Sequence, residues 1–198
     1  MDLLKVLEIV GVSLWIIYLL LAVNEKIACW IFGILASCIT IYNFYHGKLY
    51  SEAIVNFYYV GAGIYGWYYW AKQKRFSGTN TAPVRQWTVK KHLITYSITI
   101  AAALIWGNFM HIYTDAPRPF IDSFTACFSF LTTFMEARKI LTTWINWFCI
   151  NVVLVFLQID RGLPVYAGLS ALFAVMSIVG FIKWRKSYLS LKHASPVN

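Results

Sequence analysis

The residues whose types and spacing point to chemistry cluster in the stretch 138–151, RKILTTWINWFCIN. Trp144, Trp147 and Asn151 stand at i, i+3 and i+7, positions that share a helix face. The rest of the segment is apolar enough to lie in a bilayer. Such a face is an aromatic slot with an amide one turn deeper, and it suits a flat polar ring. Aromatic faces attract a flat cation in particular. Asn56 and Tyr59, at i and i+3, and Asn43 are further polar groups in apolar surroundings. A buried amide left without a partner costs roughly 1–3 kcal/mol. Each of these must therefore meet a neighbouring helix or a ligand.

Other chemistries find little support. The acids (Asp2, Glu8, Glu25, Glu52, Asp115, Asp122, Glu136 and Asp160) fall mostly at the ends of apolar segments, and the histidines (His46, His92, His111, His193) are scattered. There is no HxxxH or HExxH and no Gly-rich phosphate loop. The expectation is a non-enzyme with no metal and no cofactor. Cys29, Cys38, Cys127 and Cys149 have no metal-site spacing and are read as packing residues. Glu8 and Glu52 lie nearest to apolar segments, but close to their ends, where snorkelling to water suffices. With no well-buried carboxylate expected, proton-driven transport lacks its relay.

The elements that must position this stripe are membrane spans. The 198 residues are 60% hydrophobic and 18% aromatic, with 13% charged against a usual share of about 25%. Mean hydropathy is +0.61. The apolar runs suffice to cross a hydrocarbon core about 30 Å thick. Seven spans are expected, at 3–23, 26–45, 51–70, 93–111, 120–135, 141–157 and 164–184. A polar, basic loop is expected over 71–92. The start, MDLLK, lacks a positive n-region, so a first span is expected rather than a signal peptide. Alternating the sides puts four Lys/Arg on one face of the membrane and thirteen on the other. The positive-inside rule then sets the N-terminus outside and the C-terminus in the cytoplasm. The net charge of +9 is accounted for by these flanks, not by a nucleic-acid partner. The aromatic run ending the third span, Trp67 to Trp70, reads as an interfacial belt.

The chain also resembles itself. A shift of 114 residues superposes Glu8 on Asp122, Trp30 on Trp144, Leu49 on Leu163, Ala53 on Ala167, Gly66 on Gly180 and Trp70 on Trp184. Spans 1–3 and 5–7 are therefore expected to be two copies running parallel, with span 4 as linker. This gives a first three-helix unit over 1–70, a loop over 71–92, a linker helix over 93–111, a second unit over 116–186 and a cytoplasmic tail over 187–198. Trp30, the mate of Trp144, joins the candidate site on the opposite wall with Tyr59.

With W-x-x-W-x-x-x-N at 144–151, Leu49-Tyr50-Ser51-Glu52 opening span 3 and Tyr65-Gly66-Trp67-x-x-Trp70 closing it, the chain resembles the PnuC family of vitamin transporters. The resemblance covers about residues 3–186. It implies an all-α membrane protein with seven helices in a 3+1+3 arrangement of parallel repeats, SWEET-like but full-length, assembled as a homotrimer. It implies facilitated diffusion of nicotinamide riboside across the bacterial inner membrane, with a cytoplasmic kinase trapping the substrate. Trp144 and Trp147 would sandwich the ring, while Asn151, Asn56 and Asn43 would hydrogen-bond its polar groups. Where nicotinamide riboside members carry Gln in span 3, this chain has Asn56. Relatives carrying thiamine, riboflavin or deoxynucleosides thus remain open, thiamine foremost. A non-transporting membrane scaffold, whose amides only join helices, is the alternative from another class.

Overall fold

The computed structural model describes residues 3–47, 50–77, 81–115 and 117–194, and side chains there except at 50–52, 77, 193 and 194. Leu49 and the side chains of Tyr50, Ser51 and Glu52, singled out above, lie outside that description. Among the described residues seven α-helices follow one another: α1 (Leu3–Val23), α2 (Cys29–His46), α3 (Tyr50–Ser77), α4 (Val89–Tyr113), α5 (Pro119–Ala137), α6 (Thr143–Asp160) and α7 (Pro164–Ala194). Five of them, α1, α2, α4, α6 and α7, are long and apolar enough to cross a membrane. Among the described residues no strand occurs, only an isolated bridge between Arg85 and Ile140.

Local chemistry explains the starts. Pro119 opens α5, where its missing N–H costs nothing. The Thr88 side chain caps α4 by accepting from the Lys91 amide at 3.4 Å. The helices also overrun their expected ends: α3 continues past Trp70 to Ser77, and α7 runs on through Ala194. The intervening segment is not a free polar loop. The Arg85 amide donates to the Lys139 carbonyl at 2.8 Å, and the Arg85 carbonyl accepts from the Leu141 amide at 2.9 Å. Ala82 and Val84 are buried beside it.

Helices α1, α2 and α3 pack in succession, as do α5, α6 and α7; α3 then lies on α5, and α1 on α7. Each group of three thus sets its last helix against the first helix of the other. Helix α4 packs on α5.

Positions 114 apart repeatedly take the same part. Helices α1 and α5 end in the same turn, with the Lys26 amide donating to Leu21 O and the Ile140 amide donating to Met135 O, both at 2.9 Å. Glu25 and Lys139 each stand at φ 59° in these turns, the left-handed C′ position that usually takes glycine. For a residue with a side chain that conformation costs about 1–2 kcal/mol. Both residues use the side chain: the Lys139 ammonium pairs with the Glu25 carboxylate, with side-chain exposures of 0% and 12%. The ammonium also lies 4.4 Å from the Trp70 ring centroid and 4.6 Å from that of Trp184. The Trp70 indole donates to Ala137 O, and that of Trp184 to Ala22 O, both at 3.1 Å. Burial pushes the Lys139 ammonium below its usual pKa, and the Glu25 carboxylate opposes that shift.

Two expectations are corrected here. Trp70 belongs to the core and not to an interfacial belt, being 1% exposed while Trp67 and Tyr68 face outward. Lys139 is a buried, paired cation rather than a solvated flank charge. The cysteines also differ: Cys29 is buried, but Cys38 and Cys149 are exposed.

Candidate functional site

Between the two groups of helices lies a cavity of about 130 Å³. Helix α1 contributes Trp15 and Tyr18, α2 Trp30, Gly33 and Ser37, and α3 Tyr59 and Gly63. From the other group come Thr133 of α5, Trp147, Asn151 and Leu154 of α6, and Leu169, Ser170 and Phe173 of α7. The walls are largely aromatic. Trp15 meets Tyr18, Tyr59 and Phe173 edge-on at 5.4, 6.1 and 6.4 Å. Its indole donates to the Thr40 hydroxyl at 3.2 Å, which fixes the ring.

Of the seven residues expected here, Trp147, Asn151, Tyr59 and Trp30 come together on the cavity. Asn151 spends one amide donor on the Trp147 carbonyl at 2.8 Å. Trp30 is 2% exposed, and its indole nitrogen has no hydrogen-bond partner; nor does the Ser37 hydroxyl, about two turns further along the same face of α2. Ser37 is 114 residues before Asn151, and Gly33 is 114 before Trp147. The two walls therefore oppose W-x-x-G-x-x-x-S to W-x-x-W-x-x-x-N.

Trp144, Asn56 and Asn43 are not brought to the cavity. Trp144 faces α7: a Cβ on Gly180 would fall 2.5 Å from its ring, and Trp184 meets it edge-on at 5.3 Å. Three helical residues amount to about 300°, so Trp144 and Trp147 are about 60° apart on α6. That angle sends one ring to the cavity and the other to the α6–α7 seam, so the two cannot close on one ligand as a sandwich. Trp30 repeats the packing on the other side: a Cβ on Gly66 would fall 2.5 Å from its ring, and it meets Trp70 at 5.4 Å. Asn56 is buried away from the cavity lining. Asn43 lies beside Tyr166.

One residue bonded to the cavity wall is not among those expected from the sequence. Glu136 was placed among acids at span ends, where no carboxylate was expected to be deeply buried. It is 1% exposed. Its Oε1 accepts from the Tyr18 hydroxyl at 2.7 Å and its Oε2 from the Trp147 indole at 2.8 Å. The available signal was an acid next to Arg138-Lys139 at the end of an apolar run, a position where ionisable groups are functional candidates. Tyr18 and Trp15, at i and i+3 on α1, were the other legible pair. Among the described residues no group of three or more His, Cys, Asp or Glu is placed to hold a metal ion.

Residues 5–186 match the family model described as nicotinamide mononucleotide transporter. The chain belongs to this family, the PnuC transporters. Among curated relatives, the nicotinamide riboside transporter PnuC of Escherichia coli (strain K12) is 24% identical over 187 residues, covering 81% of this chain and 76% of the relative. The nicotinamide riboside transporter PnuC of Neisseria mucosa is 21% identical over 172 residues, covering 81% and 65%. A crystal structure of the vitamin B3 transporter PnuC superposes with a TM-score of 0.78 over 93% of this chain and 82% of that one, at 20% identity, and shares its fold. The protein is thus a multi-pass membrane transporter and not an enzyme. The scaffold alternative expects no cavity at mid-membrane; one is present, lined by Trp147 but not by Trp144.

Proposed function

We propose that this PnuC member carries nicotinamide riboside across the bacterial inner membrane through the cavity between the two helix groups. The observation carrying this is the Trp147–Asn151 stripe on a cavity otherwise walled by Trp15, Tyr18, Trp30, Tyr59 and Phe173. Aromatic faces attract a flat cationic ring, and the amide side chain offers a hydrogen bond to a polar substituent. The curated relatives' names support the same substrate. Trp147 and Asn151 hold the ring, with Tyr59 and Trp30 on the facing wall. Asn56, Asn43 and Trp144 act from behind by packing.

Transport is facilitated diffusion, with a cytoplasmic kinase trapping the product by adding a charge that the bilayer and the cavity reject. The N-terminus lies outside and the basic end, with Arg138 and the end of α7, faces the cytoplasm. The two groups of three helices are parallel repeats joined by α4, and the protein works as a homotrimer. The matching turns at Glu25 and Lys139 support the repeat reading.

Titration calorimetry on the detergent-purified protein tests the substrate, with nicotinamide riboside, thiamine and nicotinamide mononucleotide side by side. Nicotinamide riboside is expected to bind, the mononucleotide weakly if at all, and Trp147→Ala to abolish binding while the protein stays folded. Tight binding of thiamine alone would move the assignment to that vitamin; wild-type affinity in Trp147→Ala would remove Trp147 from the site. Uptake into proteoliposomes should proceed at the same initial rate with and without a proton gradient.

A further inference from the structure

Behind the aromatic wall stands a carboxyl group, a chemistry that none of the cavity-lining residues supplies. Glu136 lies one helical turn beyond the lining residue Thr133 and is held by two residues that do line the cavity, Tyr18 and Trp147. Both donors are neutral. A buried carboxylate is costly unless it is paired, and two neutral donors supply only part of what a cation would. The adjacent cation, Lys139, has its ammonium against Glu25. Lys139 and Glu25 thus pair with each other, while Glu136 is held by its two neutral donors. An indole N–H can only donate, so Trp147 is tied to Glu136 by that edge of its ring while the side chain lines the cavity. A carboxylate accepting that hydrogen also pushes electron density into the ring, which strengthens the attraction of the face for a cation.

We propose that Glu136 is the counter-charge of the cavity. Acting through Trp147 and Tyr18, it selects a positively charged ring over a neutral ring of the same shape, and it sets the orientation of the Trp147 indole. It is a positioning and specificity residue that stands behind the wall. This rests on the cavity being the substrate site, as proposed above. It adds that the ring's positive charge is itself recognised.

The test compares two cation–neutral pairs of matched shape: nicotinamide riboside against its 1,4-dihydro form, and 1-methylnicotinamide against its 1,4-dihydro form. Binding is measured on the full chain in detergent for wild type, Glu136→Gln and Glu136→Ala. Glutamine can still accept from the Trp147 indole and donate to the Tyr18 oxygen, so it removes the charge and keeps the hydrogen bonds. Wild type is expected to prefer each cation by about tenfold or more, the scale of a charge interaction across a few ångströms of partly desolvated protein. In Glu136→Gln that preference should fall toward one, with the neutral ligands bound within about threefold of wild type. A purely structural role would lower both members of a pair together, as expected for Glu136→Ala. A cation preference kept in Glu136→Gln, or none in wild type, overturns the proposal. Charge selection on the methyl pair without binding of the riboside pair leaves Glu136 in its role and overturns the substrate assignment. If neither pair binds wild type, no cationic-ring site exists and the proposal falls.

Discussion

Replacing Lys139 with methionine removes the charge while keeping an unbranched stem between the Trp70 and Trp184 rings. Glu25, 12% exposed at its side chain, is then left largely buried and unpaired. Breaking a buried ion pair from one side costs about 3–5 kcal/mol. The partial exposure of Glu25 lets water relieve some of this, so the lower end, about 3 kcal/mol, is expected. Loss of the cation from two ring faces contributes about 1 kcal/mol more, since Met still packs there. For a chain of this size 1 kcal/mol moves the melting temperature by about 2–4 °C. Lys139→Met should therefore melt about 8–16 °C lower, followed by intrinsic tryptophan fluorescence in detergent. The double variant Glu25→Gln/Lys139→Met also removes the carboxylate that the single variant leaves unpaired and should recover more than half of the loss. A single variant melting within 2 °C of wild type, or a double variant no better than the single, would refute the view that the pair is a buried and mutually dependent lock between the two helix groups.

The remaining predictions concern the same core. Gly66→Ala and Gly180→Ala each place a methyl 2.5 Å from a buried indole, Trp30 or Trp144; both should lose about 1–3 kcal/mol by overpacking, read as matched drops in thermal midpoint. Trp184→Phe removes one of two donors to the Ala22 carbonyl, which keeps the Glu25 amide at 3.0 Å, and should cost about 0.5–1.5 kcal/mol more than Trp144→Phe, because the Trp144 nitrogen has no partner to lose. Arg118→Ala breaks an ion pair with Asp160 in which both side chains are more than two-fifths exposed. It should shift stability by less than about 1 kcal/mol, and a larger loss in the same melting assay would contradict the assignment of that pair as a surface contact.

Hydropathy and length, which are local properties, marked out the helices and the membrane setting of five of them, because a span must bury some twenty consecutive residues whatever its neighbours are. The 114-residue correspondence of tryptophans and glycines was legible as well, and the structure turns it into paired contacts of Trp30 with Gly66 and Trp144 with Gly180. Burial of individual polar groups was not legible. Lys139 follows Arg138 in what reads as a charged flank, and its burial depends on Glu25, a partner 114 residues away. Trp70 shares its run with the exposed Trp67 and Tyr68, so local context reads as a belt, whereas the position of Lys139 decides that it is core. The spacing of Trp144, Trp147 and Asn151 identified the right helix and roughly the right face, but a sequence stripe is about 60° wide between i and i+3. Which ring looks into the cavity is decided by where Gly180 of α7 opens a slot for Trp144. Glu136 shows the same limit: only the tertiary packing brings Tyr18 and Trp147 to its two oxygens, and only that pairing ties an acid at a helix end to the cavity wall.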